Sequence, residues 1–213
     1  MPTKTWIATT AGATWGTAAN WSPSGVPAAG DDVIFNSASG GCTVSANTNA
    51  LLSLNCTGYT NTLTINTGIN IIVAGNVILS SGMTTTTSGT GGITMNTGTL
   101  TTAGHQLGVW LRMTTINSTI QLADDCVLLK GLAVLGTPVG NITLRSDTPG
   151  TARLLTLSNI AGVNQDIDYA TVTDIDSSQG LTFWNYKGTI GSNVSNWQIM
   201  QQYELRLSGL VFA

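Results

Sequence analysis

Short stripes of alternating apolar and polar residues recur along most of this chain. Triplets with the order apolar–any–apolar return roughly every 15 residues between Leu63 and Val172. Residues two positions apart in a strand point to the same side of a sheet, so each triplet predicts a short strand with one buried face. The triplets occupy residues 63–65, 77–79, 93–95, 109–111, 127–129, 142–144, 155–157 and 170–172.

The segments between the triplets are rich in Gly, Asn, Ser and Thr, which favour turns. A repeat of about 15 residues is long for antiparallel hairpins, whose loops span about 2–5 residues. It is short for strand–helix–strand units, and no helical periodicity lies between the stripes. The pattern therefore predicts a parallel β-solenoid with one triplet per coil, because stacked coils share a core that a lone coil cannot form. An antiparallel β-sandwich is the alternative.

Composition supports an all-β fold and narrows the function classes. Charged residues make up 8% of the 213 residues and hydrophobic residues 42%, with a formal net charge of −3. The seven Lys and Arg are scattered, which argues against a nucleic-acid partner. No apolar run reaches the roughly 20 residues of a membrane span, and no apolar stretch follows Lys4 as in a signal peptide. We expect a protein that is assembled in the cytoplasm of its host cell.

Three sections are expected along the chain. Residues 1–50 are predicted to form an N-terminal cap and the first strand, with Trp15 and Trp21 packed on the first coil. An open solenoid end exposes strand edges that have to be covered. Residues 51–200 are predicted to form the coils, and residues 201–213 a C-terminal strand or tail. The three Cys lack the spacing of a metal site, so we expect buried thiols, no metal and no cofactor.

Two stretches resemble the ends of right-handed parallel β-helix proteins found in phage particles and on bacterial surfaces. The first reads NWSPSGVP at residues 20–27, followed by GDDVIF at 30–35. The second reads IDYATVTD at residues 167–174 and closes with NVSNW at 193–197. The resemblance covers about a third of the chain. It implies a single-stranded right-handed parallel β-helix, and neither stretch is specific for one function.

The same resemblance implies a virion structural protein, for which we expect a capsid decoration (cement) protein that stabilises a phage head. Such a protein would contact the major capsid protein, form a homotrimer, and lack enzymatic activity. The alternative is a tail-fibre or tailspike-like module that binds a receptor or a glycan.

Few side chains in the sequence are candidates for catalysis. Parallel β-helices include polysaccharide-degrading enzymes, and glycoside hydrolysis generally uses two carboxyl groups. Asp is also a common turn former, and the sole His, His105, has no nucleophile motif beside it, so no catalytic residue is predicted. The paired acids are Asp31 with Asp32, Asp124 with Asp125, Asp166 with Asp168, and Asp174 with Asp176.

Four side chains are predicted to make interactions. Trp184 and Tyr186 lie on one short strand, where exposed aromatic rings stack on sugars or anchor a partner; they could equally cap the last coil. Leu210 and Phe212 alternate with small or polar neighbours near the C-terminus and are predicted to dock on this chain or on a neighbouring subunit.

Overall fold

The computed structural model describes residues 2–201, and these residues fold as a series of short β-strands. The only helix among them is a short 3₁₀ helix at Ala18–Asn20. The first strands are β1 Thr3–Trp6, β2 Ala13–Thr14, β3 Trp21–Ser22, β4 Asp32–Ile34, β5 Cys42–Val44, β6 Ser53–Asn55, β7 Thr62–Ile65, β8 Asn70–Val73, β9 Val77–Ile78, β10 Thr84–Thr86, β11 Gly92–Met95, β12 Gly98–Thr101 and β13 Gln106–Leu107. The remainder are β14 Trp110–Met113, β15 Thr119–Leu122, β16 Cys126–Leu128, β17 Gly131–Leu135, β18 Ile142–Ser146, β19 Arg153–Leu157, β20 Asn164–Asp168, β21 Ala170–Thr173, β22 Ile175–Asp176, β23 Phe183–Tyr186, β24 Thr189–Ile190, β25 Val194–Ser195 and β26 Trp197–Met200.

The strands form parallel sheets in which a strand mostly pairs with the third strand after it. The seven-stranded sheet has the order β8-β11-β14-β17-β20-β23-β26, and the five-stranded sheet β13-β16-β19-β22-β25. The ten-stranded sheet runs β3-β1-β4-β6-β9-β12-β15-β18-β21-β24, and the four-stranded sheet β2-β5-β7-β10. Among the described strands, all pairs are parallel except β1 with β3. The all-β prediction is confirmed, the antiparallel sandwich is wrong, and the stacking is consistent with a β-solenoid.

The coil is longer than the sequence pattern predicted. Val33 pairs with Leu54 and Leu54 with Val77, so one full coil separates each of these residues from the next. Successive apolar triplets therefore lie mostly on different sheets, and the prediction of one triplet per coil is wrong. The cause is that each coil carries apolar stripes on more than one sheet, so the recurrence along the chain is shorter than one coil. A still longer coil connects Leu132 to its partner Gln165.

A continuous apolar core fills the space between the sheets. In the seven-stranded sheet, four side chains stack in register and are at most 1% exposed: Ile71, Ile93, Leu111 and Leu132. A comparable column in the ten-stranded sheet contains Val33, Leu54, Val77, Leu100 and Leu122. Burying each such side chain contributes about 1.5–3 kcal/mol, so the stack of coils forms one core.

The N-terminal end of the stack is closed by aromatic residues. The NWSP stretch forms β3, which runs antiparallel beside β1 and so occupies the outer edge of the ten-stranded sheet. The Trp21 ring meets Trp6 edge-on at 4.9 Å and Trp15 at 4.7 Å. Phe35, which is fully buried, lies 5.9 Å from Trp21. We call Trp6, Trp15, Trp21, Phe35 and Tyr59 the N-terminal aromatic cluster.

Hydrogen bonds from the NVSNW stretch at residues 193–197 stabilise the last described turns. Asn193 and Asn196 have positive φ angles of 56° and 58°, a region that Asn tolerates better than most residues. The Asn196 amide nitrogen donates to the carbonyl oxygens of Ser177 and Gly180 at 2.9 and 3.1 Å. The Trp197 indole N–H donates to Ser177 Oγ at 2.9 Å. The residues of this motif therefore have a structural role in the turns.

Candidate functional site

The outer face of the seven-stranded sheet carries the exposed aromatic residues that the sequence singled out. In β23, Phe183 and Asn185 are fully buried, whereas Trp184 is 43% exposed and Tyr186 is half-buried. Alternation along the strand thus directs Trp184 and Tyr186 away from the core. β26 pairs with β23 on its far side, so these residues do not cap the end of the stack.

The backbone of Trp184 is held in place by a glutamine that sequence reasoning missed. The Gln165 side chain on β20 accepts from the Trp184 backbone N–H at 2.8 Å and donates to the Thr182 carbonyl at 2.9 Å. One amide group thus takes the place of ladder hydrogen bonds between β20 and β23. In the preceding coil, Leu132 occupies the position paired with Gln165. The sequence signal for Gln165 was a polar residue at a position where the preceding coil has an apolar one.

Tyr186 belongs to a small aromatic and cationic group. Its ring lies 6.4 Å from the Tyr169 ring at an interplanar angle of 83°. Lys187 Nζ lies 5.0 Å from the centroid of the Tyr186 ring, within the range of a cation–π contact. Interaction with Tyr186, followed by the nearby Tyr169, raises the pKa of Lys187 above its ordinary value. The predicted interaction residue Tyr186 is therefore a member of an ordered surface group.

A second aromatic residue, Trp110, lies on the same face three coils earlier. Its ring is covered on one side by Arg112, whose Cζ lies 4.8 Å from the ring centroid. Glycine at position 131 gives the ring room, because a Cβ there would lie 2.9 Å from Trp110 Cζ3. Arg112 Nη2 donates to the Thr90 carbonyl at 2.9 Å, while its buried Nε has no partner among the described residues. The sequence signal was an aromatic residue in the outward position of the triplet at 109–111.

A row of outward positions leads from Arg112 across the sheet to β20. Arg112 pairs with Ala133, and Ala133 with Asp166, so the three lie in one row across the sheet. Burial lowers the pKa of Arg112, and the nearby Asp166 partly offsets that effect. Asp166 thus lies within electrostatic range of the guanidinium, although Arg112 donates its hydrogen bond to the Thr90 carbonyl.

Two carboxylates lie beside β23. Asp168 pairs with Tyr186, and Asp166 lies two residues earlier on β20, on the same face of the strand. Partial burial, together with the nearby Asp166, raises the pKa of Asp168. Within residues 2–201, neither carboxylate accepts a hydrogen bond, which leaves both able to interact with another molecule.

Most of the other paired acids bind a neighbouring coil. The Asp124 carboxylate accepts hydrogen bonds from the Thr102 and Ala103 backbone at 2.8 and 2.6 Å. Asp125 accepts from the Leu154 N–H at 2.9 Å. Asp174 accepts from the Gly150 N–H and Asp32 from the Ser53 hydroxyl. The bonds of Asp31 to the Ala28 N–H and of Asp176 to the Ser178 N–H are local and fit the turn-forming role expected of Asp.

His105 is a buried structural residue. Its Nε2 lies 2.8 Å from Thr85 Oγ1, and that hydroxyl oxygen also accepts the Gly108 backbone N–H at 2.9 Å. Burial lowers the pKa of His105, an effect that a hydrogen bond to the Met83 backbone partly offsets. The bonds lie at the junction of β10 and β13, where the side chain of Thr85 replaces part of the strand pairing.

Two concave sites on the described surface are small. One depression of about 110 Å³ is lined in part by Trp15, Val26 and Pro27, and another of about 150 Å³ by Gly41 and Thr62. Both are smaller than the roughly 300–1,000 Å³ that is usual for ligand pockets. Residues 2–201 contain no cluster of three or more His, Cys, Asp or Glu suited to a metal ion. No helix in that range is long and apolar enough to cross a bilayer.

The remaining predicted interaction residues, Leu210 and Phe212, lie outside the described residues. Comparison with known proteins adds no relative: the chain matches no family model, no curated protein and no solved structure.

Proposed function

We propose that this chain is a structural, non-enzymatic protein of a phage-like virion, and that it decorates and stabilises the capsid. The observation that carries the proposal is the continuous buried core beneath stacked parallel strands, with most paired acids hydrogen-bonded to other parts of the fold. A column of this kind resists deformation because each coil is hydrogen-bonded to the next.

The handedness and the virion setting come from the resemblance of the sequence to right-handed parallel β-helix proteins. The stretch at residues 20–35 forms the N-terminal edge strand and the following core strand. Pairing of most strands with the third strand after them supports a single-stranded β-helix. Among the virion roles, we propose that the chain lies on the phage head. The alternative is a tail-associated module.

Partners follow from the same proposal. We expect the chain to bind to the major capsid protein. We expect it to do so as a homotrimer. No cofactor is required for this role, and neither nucleic acid nor a membrane is a proposed partner. Leu210 and Phe212 are proposed as contacts to a neighbouring subunit or to the capsid.

Cross-linking mass spectrometry on purified particles tests the location. We expect cross-links from the lysines of this chain, such as Lys4 and Lys130, to the major capsid protein. Cross-links to tail proteins alone would overturn the capsid role in favour of the alternative.

Sedimentation equilibrium of the purified full chain tests the trimer. One chain has a mass of 22.0 kDa, and we expect a sedimenting species of three times that mass. A concentration-independent mass equal to that of one chain, together with single copies at each capsid position, would overturn the homotrimer.

A further inference from the structure

We propose that Trp184, Gln198 and Asp166 form a binding surface for a pyranose sugar on the outer face of the seven-stranded sheet. This proposal goes beyond the capsid role and does not rest on it, because a sugar is recognised by the surface itself.

Trp184 differs from most of the other tryptophans in its exposure. Trp6, Trp15, Trp21 and Trp197 are each at most 7% exposed, whereas Trp184 is 43% exposed. A large ring left in water at a defined place is typical of a binding surface, since its flat apolar face can cover the C–H groups of a ligand. The apolar face of a pyranose ring is a ligand of this shape.

The backbone of Trp184 is fixed before any ligand arrives. Gln165 binds the chain on both sides of Phe183, and β26 pairs with all four residues of β23. Phe183 is stacked on Trp197 in the core at a centroid distance of 4.5 Å, which anchors the strand from within. A site that is ordered in advance loses less conformational entropy on binding.

Polar groups border the ring on both neighbouring strands. Gln198 is the direct strand partner of Trp184, and neighbouring strands are about 4.8 Å apart, so its amide lies close enough to reach a sugar ring stacked on the indole. Asp166 lies on β20, the strand on the other side of β23, two residues before the Asp168 that pairs with Tyr186. Amide and carboxylate groups offer paired hydrogen-bonding atoms of the kind that adjacent sugar hydroxyls require.

A second copy of the chain fits this surface less well. A protein interface over Trp184 would also enclose the carboxylate of Asp166, which accepts no hydrogen bond from residues 2–201. Because every copy carries a net charge of −3, a second copy brings further negative charge towards that carboxylate. The hydroxyls of a neutral sugar donate hydrogen bonds to it without adding like charge, while the ring covers the indole.

The test uses the full chain on an array of immobilised oligosaccharides built from hexoses, N-acetylhexosamines and hexuronic acids. The strongest array sugar is then titrated in solution by calorimetry. We expect Trp184→Ala to weaken binding at least tenfold and Trp184→Phe to weaken it less. Gln198→Ala and Asp166→Asn are each expected to weaken binding several-fold.

Val139→Ala is the matched control, because Val139 is 84% exposed and lies in a turn outside β23. It should leave the affinity unchanged, and circular dichroism should show that every variant is folded. Failure to bind any array sugar overturns the proposal, as does an equal loss in the Trp184→Ala and Val139→Ala variants. A change in sedimenting mass caused by Trp184→Ala, without sugar binding, would overturn it by assigning the surface to a second copy.

Discussion

The two ends of the described stack differ in how many of their aromatic residues are buried. At the N-terminal end, Trp6, Trp15 and Trp21 are at most 4% exposed and pack on one another. Towards the C-terminal end, Phe183 and Trp197 stack in the core, but Trp184 lies 43% exposed on the outer face. The inward position after Trp184 is taken by the polar Asn185. The N-terminal aromatic cluster closes the core, whereas Trp184 leaves ring surface available for contact.

The comparison is tested most strongly by truncating one tryptophan at each end. Trp21→Ala should lower the free energy of unfolding by about 3–5 kcal/mol, because it opens a cavity among Trp6, Trp15 and Phe35. Trp184→Ala should change it by less than about 0.5 kcal/mol, as surface substitutions do. Urea denaturation followed by circular dichroism measures both. Equal losses of stability in the two variants would contradict the contrast between the ends.

Asn185, a polar residue in the core near the C-terminal end, provides the next test. Asn185 donates to the Ala170 carbonyl at 2.8 Å and accepts the Ala170 N–H at 3.2 Å, so one side chain satisfies both backbone groups. Asn185→Ala should cost about 2–3 kcal/mol, since it leaves both groups buried without partners. The same denaturation measurement applies.

Asn185→Leu separates two explanations for that loss. If unpaired backbone groups dominate, the leucine variant should be no more stable than the alanine variant despite its larger apolar surface. A leucine variant as stable as the wild type would show instead that the position accepts the apolar packing of the earlier coils, such as that of Val134.

A smaller effect is expected at the middle of the stack, where His105 links β10 to β13. Burial holds the pKa of His105 below its value in the unfolded chain. The unfolded chain therefore takes up the proton first as the pH falls, and stability is lost from about pH 6.5 downwards, towards the folded-state pKa. His105→Gln removes this titration while keeping a hydrogen-bonding side chain.

Urea midpoints at pH 7.5 and pH 5 measure the effect. The difference between the two midpoints should be larger in the wild type than in His105→Gln, with carboxylate contributions common to both proteins. An identical pH dependence in the two proteins would show that protonation of His105 does not destabilise the fold.

The sequence predicted the strands better than it predicted their arrangement. Alternation identified buried residues such as Leu63, Val77 and Ile93, all of which are in the core. It could not assign a stripe to a sheet, because stripes on different sheets look alike along the chain. The coil length is set by which strands pair, and pairing is a tertiary property that local alternation does not encode.

The candidate surface was predicted in part. Trp184 stood out as an aromatic residue on a short strand, and the structure places it with its ring exposed. The positions of Gln198 and of Asp166, by contrast, depend on register between strands that lie a full coil apart in the chain. Local sequence carries no such register, so these neighbours of the tryptophan became visible only in the structure.

The three cysteines allow a local comparison of the N-terminal coils with the middle of the stack. All three are buried, and burial raises the pKa of Cys56 to about 12 and that of Cys42 and Cys126 further still, so each thiol stays protonated near neutral pH. Reaction with a thiol reagent then requires local opening, whose free energy differs between parts of a fold. In single-cysteine variants, labelling should be slow for both Cys42 and Cys126.

Combining each single cysteine with Trp21→Ala connects labelling to the aromatic residues. Cys42 lies in β5 beside β2, next to the segment that carries the N-terminal aromatic cluster, whereas Cys126 lies on β16 in the middle of the stack. Trp21→Ala should therefore accelerate labelling of Cys42 and leave Cys126 nearly unchanged. Equal acceleration at both thiols would mean that loss of the cluster loosens the whole column, because opening would then be global rather than confined to the N-terminal coils.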